Sequence, residues 1–214
     1  MGEQTRNSAS ATGERARGGS RAVFASTVQA GGDPTRAFRE TLLAEGANGL
    51  PDDAVDALRS LVDAGADSMY VDGQGNSHLH VLATVGNAEA IETYLRKSVV
   101  APESMARAEP YVNAANARGD TALHIVASRP ERVRHEIEEL LAFGADPNAT
   151  DADGATALMR RVRADDAGSV ESLLEGGANA NAEDRFGRTA MEFAASPTSE
   201  ALRSLPGVGN HHGP

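Results

Sequence analysis

The sequence predicts an all-α protein, built as a linear array of stacked helical hairpins. A short motif with Asp or Asn first, glycine fourth and Thr or Ser sixth recurs four times, and its glycines are Gly75, Gly119, Gly154 and Gly187. Segments with helical apolar spacing follow the copies, and Gly-Ala-Asp or Gly-Ala-Asn turns end several of them. Only 4% of the residues are aromatic and none is Trp, so the core must consist of small and aliphatic side chains.

The four repeated segments align with one another without gaps. They read DGQGNSHLHVLA from Asp72, NARGDTALHIVA from Asn116, DADGATALMRRV from Asp151 and DRFGRTAMEFAA from Asp184. Their glycines are 44, 35 and 33 residues apart. A period of this length is typical of repeat proteins, in which each unit packs against its neighbours instead of around one central core.

This pattern resembles the ankyrin repeat, whose unit is about 33 residues long and whose first helix begins T-P-L-H. The resemblance extends over residues 38–205 and implies an ankyrin-repeat solenoid of about five helical hairpins with short β-hairpin-like loops. We expect a repeat domain over 34–205, with units at 34–70, 71–110, 111–149, 150–182 and 183–205. The first and last units are caps, and they are expected to be atypical because one face of each meets water.

The sixth motif position is suited to capping the first helix of each unit, because a hydroxyl there accepts backbone N–H groups that have no partner within the helix. The resemblance further implies that a histidine three residues later links this hydroxyl to the neighbouring unit. Met159 and Glu192 replace that histidine in the later units, which predicts a weaker network toward the C-terminal end. The residues with these structural roles are Ser77, His80, Thr121, His124, Thr156 and Thr189.

Residues 1–33 are rich in Ser, Thr, Gly, Ala and Arg and bury too little apolar surface to fold, so we expect a disordered tail. The same is expected of residues 206–214. Two interpretations of the N-terminal tail remain open: a plain flexible terminus, or an export signal similar to the polar N-termini of type III secretion effectors. The sequence has no apolar stretch typical of a secretory signal peptide or of a transmembrane helix.

The basic residues are unevenly divided, since Lys97 is the only lysine beside 19 arginines. A genome rich in G and C explains this bias through its codons. Avoidance of lysine in a protein that works near ubiquitin ligases would explain it too. Both conditions hold for a bacterium with a eukaryotic host.

Charge and composition exclude several classes of function. The net charge of −11, from 20 basic and 31 acidic residues, disfavours nucleic acids and anionic membranes as partners. The absence of cysteine excludes disulfides, thiolate metal sites and cysteine nucleophiles. No nucleotide-binding, hydrolase or metalloprotease motif occurs, and the repeat explains the pair His78 and His80. We therefore expect no catalytic residue, no cofactor and no bound metal.

An insertion interrupts the repeat at residues 98–110, where the chain has 11 residues more than the 33-residue period requires. A loop can lengthen at little cost in closure entropy, so the insertion can be a tolerated loop. The alternative is a protruding contact element with Val99, Val100 and Met105 as apolar anchors.

Arg161 stands where the repeat has a small core residue. Its stem can pack on the surface while its guanidinium group reaches water. Alternatively, Arg161 forms a basic patch together with Arg160 and Arg163.

In ankyrin families, the loop tips and the exposed side of the first helices form an open concave face that binds other proteins. Phe186 between two arginines is the strongest candidate, because aromatic and arginine side chains dominate interface energetics. The alternative for Phe186 is packing within a poorly covered C-terminal cap. Carried over position by position, the resemblance implies partner-binding residues at Gln74, Asn76, Arg118, Asp120, Arg129, Asp153, Arg163, Arg185, Phe186 and Arg188.

These features indicate a monomeric, non-enzymatic protein–protein interaction module whose partner is another protein. One hypothesis is a bacterial protein that is made in the cytoplasm and secreted into a host cell, where it binds a host target. The alternative is a bacterial cytoplasmic protein that binds and neutralises a cognate enzyme or toxin. The residue types alone leave both hypotheses open.

Overall fold

A computed structural model describes residues 71–85, 88–98, 109–164 and 166–194. Several predictions concern residues outside these ranges: the cap at 34–70, both tails and most of the insertion. The predicted count of five units therefore also lies outside what the structure describes. Within the described ranges, none of the helices is long and apolar enough to cross a membrane. The helices are α1 (His78–Val85), α2 (Ala88–Ser98), α3 (Glu109–Val112), α4 (Ala122–Ala127), α5 (Arg134–Ala142), α6 (Ala157–Arg161), a 3-10 turn (Val162–Ala164), α7 (Ala167–Glu175) and α8 (Ala190–Phe193).

The helices form consecutive pairs that stack in two layers. Helix α1 packs on α2, α4 on α5, and α6 on α7, while α8 begins the next unit. The first helices α1, α4, α6 and α8 lie side by side in one layer, and the second helices α2, α5 and α7 lie in the other. This arrangement fits the all-α repeat fold that the motif spacing predicts.

Aliphatic and small side chains fill the space between the layers. Leu79, Leu123 and Leu158 occupy the same position in three consecutive units, and all three are buried. Ala83 and Ala127 are fully buried in the layer of first helices. Because an alanine side chain ends at Cβ, it lets neighbouring helices approach closely.

Four loops of equal length precede the first helices: loop A (Asp72–Ser77), loop B (Asn116–Thr121), loop C (Asp151–Thr156) and loop D (Asp184–Thr189). In each loop, the side-chain oxygen of the first residue accepts the N–H groups of the third and fifth residues over 2.7–3.1 Å. The fourth residue is a glycine with φ between 73° and 77°. The motif therefore encodes the loop fold locally, through an Asx turn and a left-handed residue.

Consecutive loops are joined through their backbones. The N–H of Ala117 donates to the carbonyl of Gln74 over 2.9 Å, and the N–H of Ala152 donates to that of Arg118 over 3.0 Å. Arg185 and Asp153 repeat the bond between loops C and D. The loops lie so close that a Cβ on Gly119 would stand 2.7 Å from the backbone nitrogen of Ala152.

A second row of bonds joins the units just beyond the C-terminal ends of the second helices. The side-chain amide of Asn113 donates to the carbonyl of Gly144 over 2.9 Å, and its oxygen accepts the N–H of Asp146 over 2.7 Å. Asn148 makes the same two bonds with Gly177 and Asn179 in the next unit. Each asparagine thus satisfies backbone groups just beyond the end of a second helix.

The glycine of loop B provides a test of this close approach. Gly119→Ala should lower the free energy of unfolding by about 2 kcal/mol or more, because it combines a left-handed alanine with a backbone clash. Gly73→Ala is the matched control, since a Cβ at Gly73 meets nothing within 4 Å, and its effect should stay within about 0.5 kcal/mol. Urea denaturation of both variants measures the difference, and equal losses would contradict the close approach.

Candidate functional site

The loop tips and the first helices of the later units border two adjoining depressions. The first has a volume of about 470 Å³ and is lined by Ser128, Pro130, Arg160, Arg163 and Ala164. The second has a volume of about 220 Å³ and is lined by Asp151, Asp153, Ala155, Met159, Arg160, Arg163, Asp184, Arg188 and Phe193. Arg160 and Arg163 line both, so we treat the two depressions as one C-terminal groove.

Arg160 crosses the floor of this groove and joins two loops. Its guanidinium group forms ion pairs with Asp120 of loop B and with Asp151 of loop C. Burial opposes the ionisation of Asp151, but the bond from Arg160 and the N–H groups of Ala155 and Asp153 outweigh it, so the pKa of Asp151 is lowered. The carboxylate therefore stays charged under its arginine at neutral pH.

Arginine and phenylalanine side chains alternate along the C-terminal end of the groove. The guanidinium carbon of Arg185 lies 4.6 Å from the ring centroid of Phe186, and that of Arg188 lies 4.8 Å from it. Arg188 is also 4.6 Å from the ring of Phe193, and Arg163 is 4.4 Å from the same ring. We call these five side chains the arginine–phenylalanine series. Such distances are within the range of cation–π attraction.

Arg188 is held in the middle of the series by Asp184. Its Nε and Nη2 atoms reach the same carboxylate oxygen, Oδ2, over 2.8 Å and 2.7 Å. Burial by itself would raise the pKa of Asp184. The guanidinium group of Arg188 and the backbone N–H groups of Arg188 and Phe186 have the larger effect, so the pKa of Asp184 is lowered. Phe186 itself is 62% exposed although its ring contacts two arginines. If Phe186 packed inside the C-terminal cap, which is the alternative interpretation, its ring would be buried. The observed exposure does not fit that alternative.

The structure brings half of the predicted partner-binding residues together. Asp153, Arg163 and Arg188 line the C-terminal end of the groove. Arg185 forms a 2.7 Å ion pair with Asp153, and the ring of Phe186 contacts Arg188, so both lie beside it. Arg118 lies at the exposed tip of loop B, and Gln74 lies at that of loop A. Loop B is next to loop C, and loop A is one loop further away.

Asp120, Asn76 and Arg129 do not lie exposed on the face, contrary to expectation. Asp120 has a 5% exposed side chain because Arg118 and Arg160 cover it. Asn76 is half-buried and accepts a 2.9 Å bond from the side chain of Asn116, which joins loops A and B. The side chain of Arg129 is 19% exposed, and ion pairs with Glu131 and Glu136 hold it.

Arg161 is fully buried and reaches neither water nor the groove. Both predictions for it, a guanidinium group in water and a basic patch with Arg160 and Arg163, are therefore wrong. Its guanidinium group donates to the carbonyls of Arg129 and Glu131 over 2.6 Å and 2.8 Å and to Asp166 over 2.8 Å. The two carbonyls belong to the loop after α4, and Asp166 is the N-cap of α7. Arg161 therefore fastens three elements beneath the groove.

Sequence reasoning did not assign Phe193 to this face, although the repeat alignment carries the signal. Phe193 occupies the position in its unit that Arg160 occupies in the unit before. Both side chains line the groove. The tenth motif position therefore contributes to the groove in these two units.

The repeat histidines connect a loop to the following unit. Nδ1 of His80 accepts the N–H of Ser77 over 3.1 Å, so the proton lies on Nε2, which donates to the carbonyl of Asp120 over 2.8 Å. His124 makes the equivalent bonds with Thr121 and Ala155. Burial lowers the pKa of both histidines below 6.5, and the charge of Arg160 adds to the effect on His124.

The later units replace these rings with other residues. Met159 is buried in the apolar core, and Glu192 accepts the N–H of Thr189 over 2.7 Å at the start of α8. The hydroxyl of Thr156 accepts the N–H of Met159 at the start of α6. No group of three or more His, Cys, Asp or Glu side chains among the described residues is arranged to hold a metal ion.

Residues 131–207 match a family model that is described as ankyrin repeats (3 copies). Loops A and B lie before that stretch, yet they repeat the hydrogen bonds and glycine geometry of loops C and D. The match supports an ankyrin-repeat protein, and ankyrin repeats point to protein–protein interaction. No curated protein matches the chain in sequence.

The histidine pair predicts a specific pH dependence. At pH values between the lowered pKa of each folded histidine and its ordinary value of 6.5, the unfolded chain binds more protons than the folded chain. The free energy of unfolding should therefore fall as pH drops below 6.5, by at most about 1.4 kcal/mol per pH unit for each histidine.

Urea denaturation at a series of pH values measures this slope. The control is the double variant His80→Gln and His124→Gln, because Gln at this position can still accept the capping N–H but does not titrate. The slope between neutral pH and about pH 5 should be shallower in that variant. An unchanged slope would contradict the assignment to these two histidines.

Proposed function

We propose that this chain is a non-enzymatic protein-binding module that holds its partner in the C-terminal groove, with Phe186 as the central anchor. The observation that carries the proposal is the arginine–phenylalanine series beside an open groove. An exposed aromatic ring between arginines is typical of the few side chains that dominate binding energy at interfaces. The only other large apolar side chain that is exposed among the described residues is Val71, at the opposite end of the array.

The groove is better suited to binding than to catalysis. It is open, and each buried carboxylate that lines it is occupied by an arginine or by loop N–H groups. A general acid or base needs a proton that it can exchange with a substrate, and ion-paired carboxylates with lowered pKa values are poorly suited to that role. The face instead offers side chains with fixed positions over an extended surface.

Phe186→Ala tests this proposal. Truncation of the exposed ring should remove most of the captured partner and leave the thermal melt almost unchanged, because the ring contributes little to the core. The measurement immobilises four forms of the chain and compares the proteins that each retains. The four forms are the wild type, Phe186→Ala, Arg118→Ala and the control Val71→Ala. A partner retained equally by all four chains, or a melting temperature that falls with binding, would contradict the proposal.

We further propose that the module is a bacterial effector that acts inside a host cell. The support is the polar, Ser- and Arg-rich composition of residues 1–33 and the single lysine of the chain. A reporter enzyme fused to residues 1–33 should enter host cells from bacteria with a type III secretion system. It should not enter from a strain that lacks the system. A reporter that stays inside the bacteria in both strains would overturn the effector proposal and leave the protein-binding proposal intact.

A further inference from the structure

The charges of the binding face are arranged in depth, with carboxylates below and guanidinium groups above. The side chains of Asp120, Asp151 and Asp184 are 5%, 9% and 2% exposed. Those of Arg118 and Arg188, which pair with two of them, are 78% and 44% exposed. Asp153 is the exception, since its side chain is 60% exposed and pairs with Arg185. Arg163, Arg185 and Arg188 still outnumber it among the exposed charges at this end of the groove, although the whole chain carries a net charge of −11.

Arg163 adds a cation that the face itself does not neutralise. Its side chain is exposed, and its guanidinium group lies over the ring of Phe193. It forms no ion pair with any carboxylate of the part of the chain that the structure describes. It lines both depressions of the groove, so its charge faces any occupant of either.

The opposite layer of the array is acidic. Helices α2, α5 and α7 contain seven glutamates against Arg96, Lys97 and Arg134, which gives them a net charge of −4. Arg96 pairs with Glu92 over 2.7 Å, and Glu171 and Glu175 are exposed. Arg134 there is paired with Glu138 over 2.7 Å and with Glu171 over 3.9 Å. An acidic partner is thus repelled by the second helices and attracted by the groove, and this contrast selects the face on which it docks.

We infer that the C-terminal groove binds an acidic peptide segment of a partner protein, which carries an apolar side chain beside its carboxylates. This rests on the proposed function and names the chemistry of the partner. The carboxylates meet Arg163 and also Arg185, which they share with Asp153, and the apolar side chain packs on the exposed ring of Phe186. Charge complementarity carries the inference, because the exposed charges of the groove are mainly cationic.

The test uses two labelled synthetic peptides, one of alternating Glu and Leu and one in which Gln replaces every Glu. Fluorescence anisotropy with the full chain should show tighter binding of the Glu peptide, and added salt should weaken it. Arg163→Gln should weaken that binding by about fivefold, as expected for one exposed ion pair. Arg134→Gln removes the same charge from the opposite layer and should leave the binding unchanged or slightly stronger.

Three results would overturn the inference. The first is equal binding of the Glu and Gln peptides, and the second is an equal loss in Arg163→Gln and Arg134→Gln. The third is self-association of the wild-type chain that Arg163→Gln abolishes, measured by sedimentation, since it would make a second copy the occupant. Retention of a partner that depends on Phe186, together with failure of the peptide, would leave the protein-binding proposal standing and remove only the acidic chemistry.

Discussion

The close approach of consecutive loop backbones is the constraint on which the rest of the structure depends. Loops B, C and D each donate one N–H to the loop before them, over 2.9–3.0 Å. At Gly119 and Gly154 the next backbone comes so near that a Cβ would collide with it. This contact sets the separation of the units, and the separation of the units sets the spacing of the first helices. The groove exists because the loop tips stand out beyond those helices at a fixed distance.

The frame of the fold could be predicted from the sequence because it depends on local residues. Asx turns, helix caps and left-handed glycines each need only a few neighbours along the chain, and the repeat shows them several times. Arg161 could not be placed in this way. Asp166 is close in sequence, but the other two partners are carbonyls of a loop some 30 residues earlier in the chain. A pattern of side chains does not show where a backbone carbonyl will lie. A buried guanidinium group is stabilised here by acceptors that any residue type would supply.

The surroundings of the proposed binding face can be predicted only in part, for the same physical reason. Arg185, Phe186 and Arg188 lie on one loop, so their grouping is visible in a single repeat. Asp120 was expected at a loop tip, but Arg160 from the following unit covers it. Phe193 was missed because its role depends on which way a helix position points. Local sequence therefore locates the tips well, whereas the coverage of a tip by its neighbour needs the three-dimensional stacking.

The bonds between Asp184 and Arg188 have a consequence for the speed and selectivity of recognition. A free arginine side chain samples many rotamers, and their loss on association costs about 0.5–1.5 kcal/mol for each immobilised side chain. Arg188 is already confined by a carboxylate on one side and by two aromatic rings. Its conformational entropy is lost during folding, before any encounter. A partner that binds at the proposed face would therefore not pay this entropy cost for Arg188 a second time.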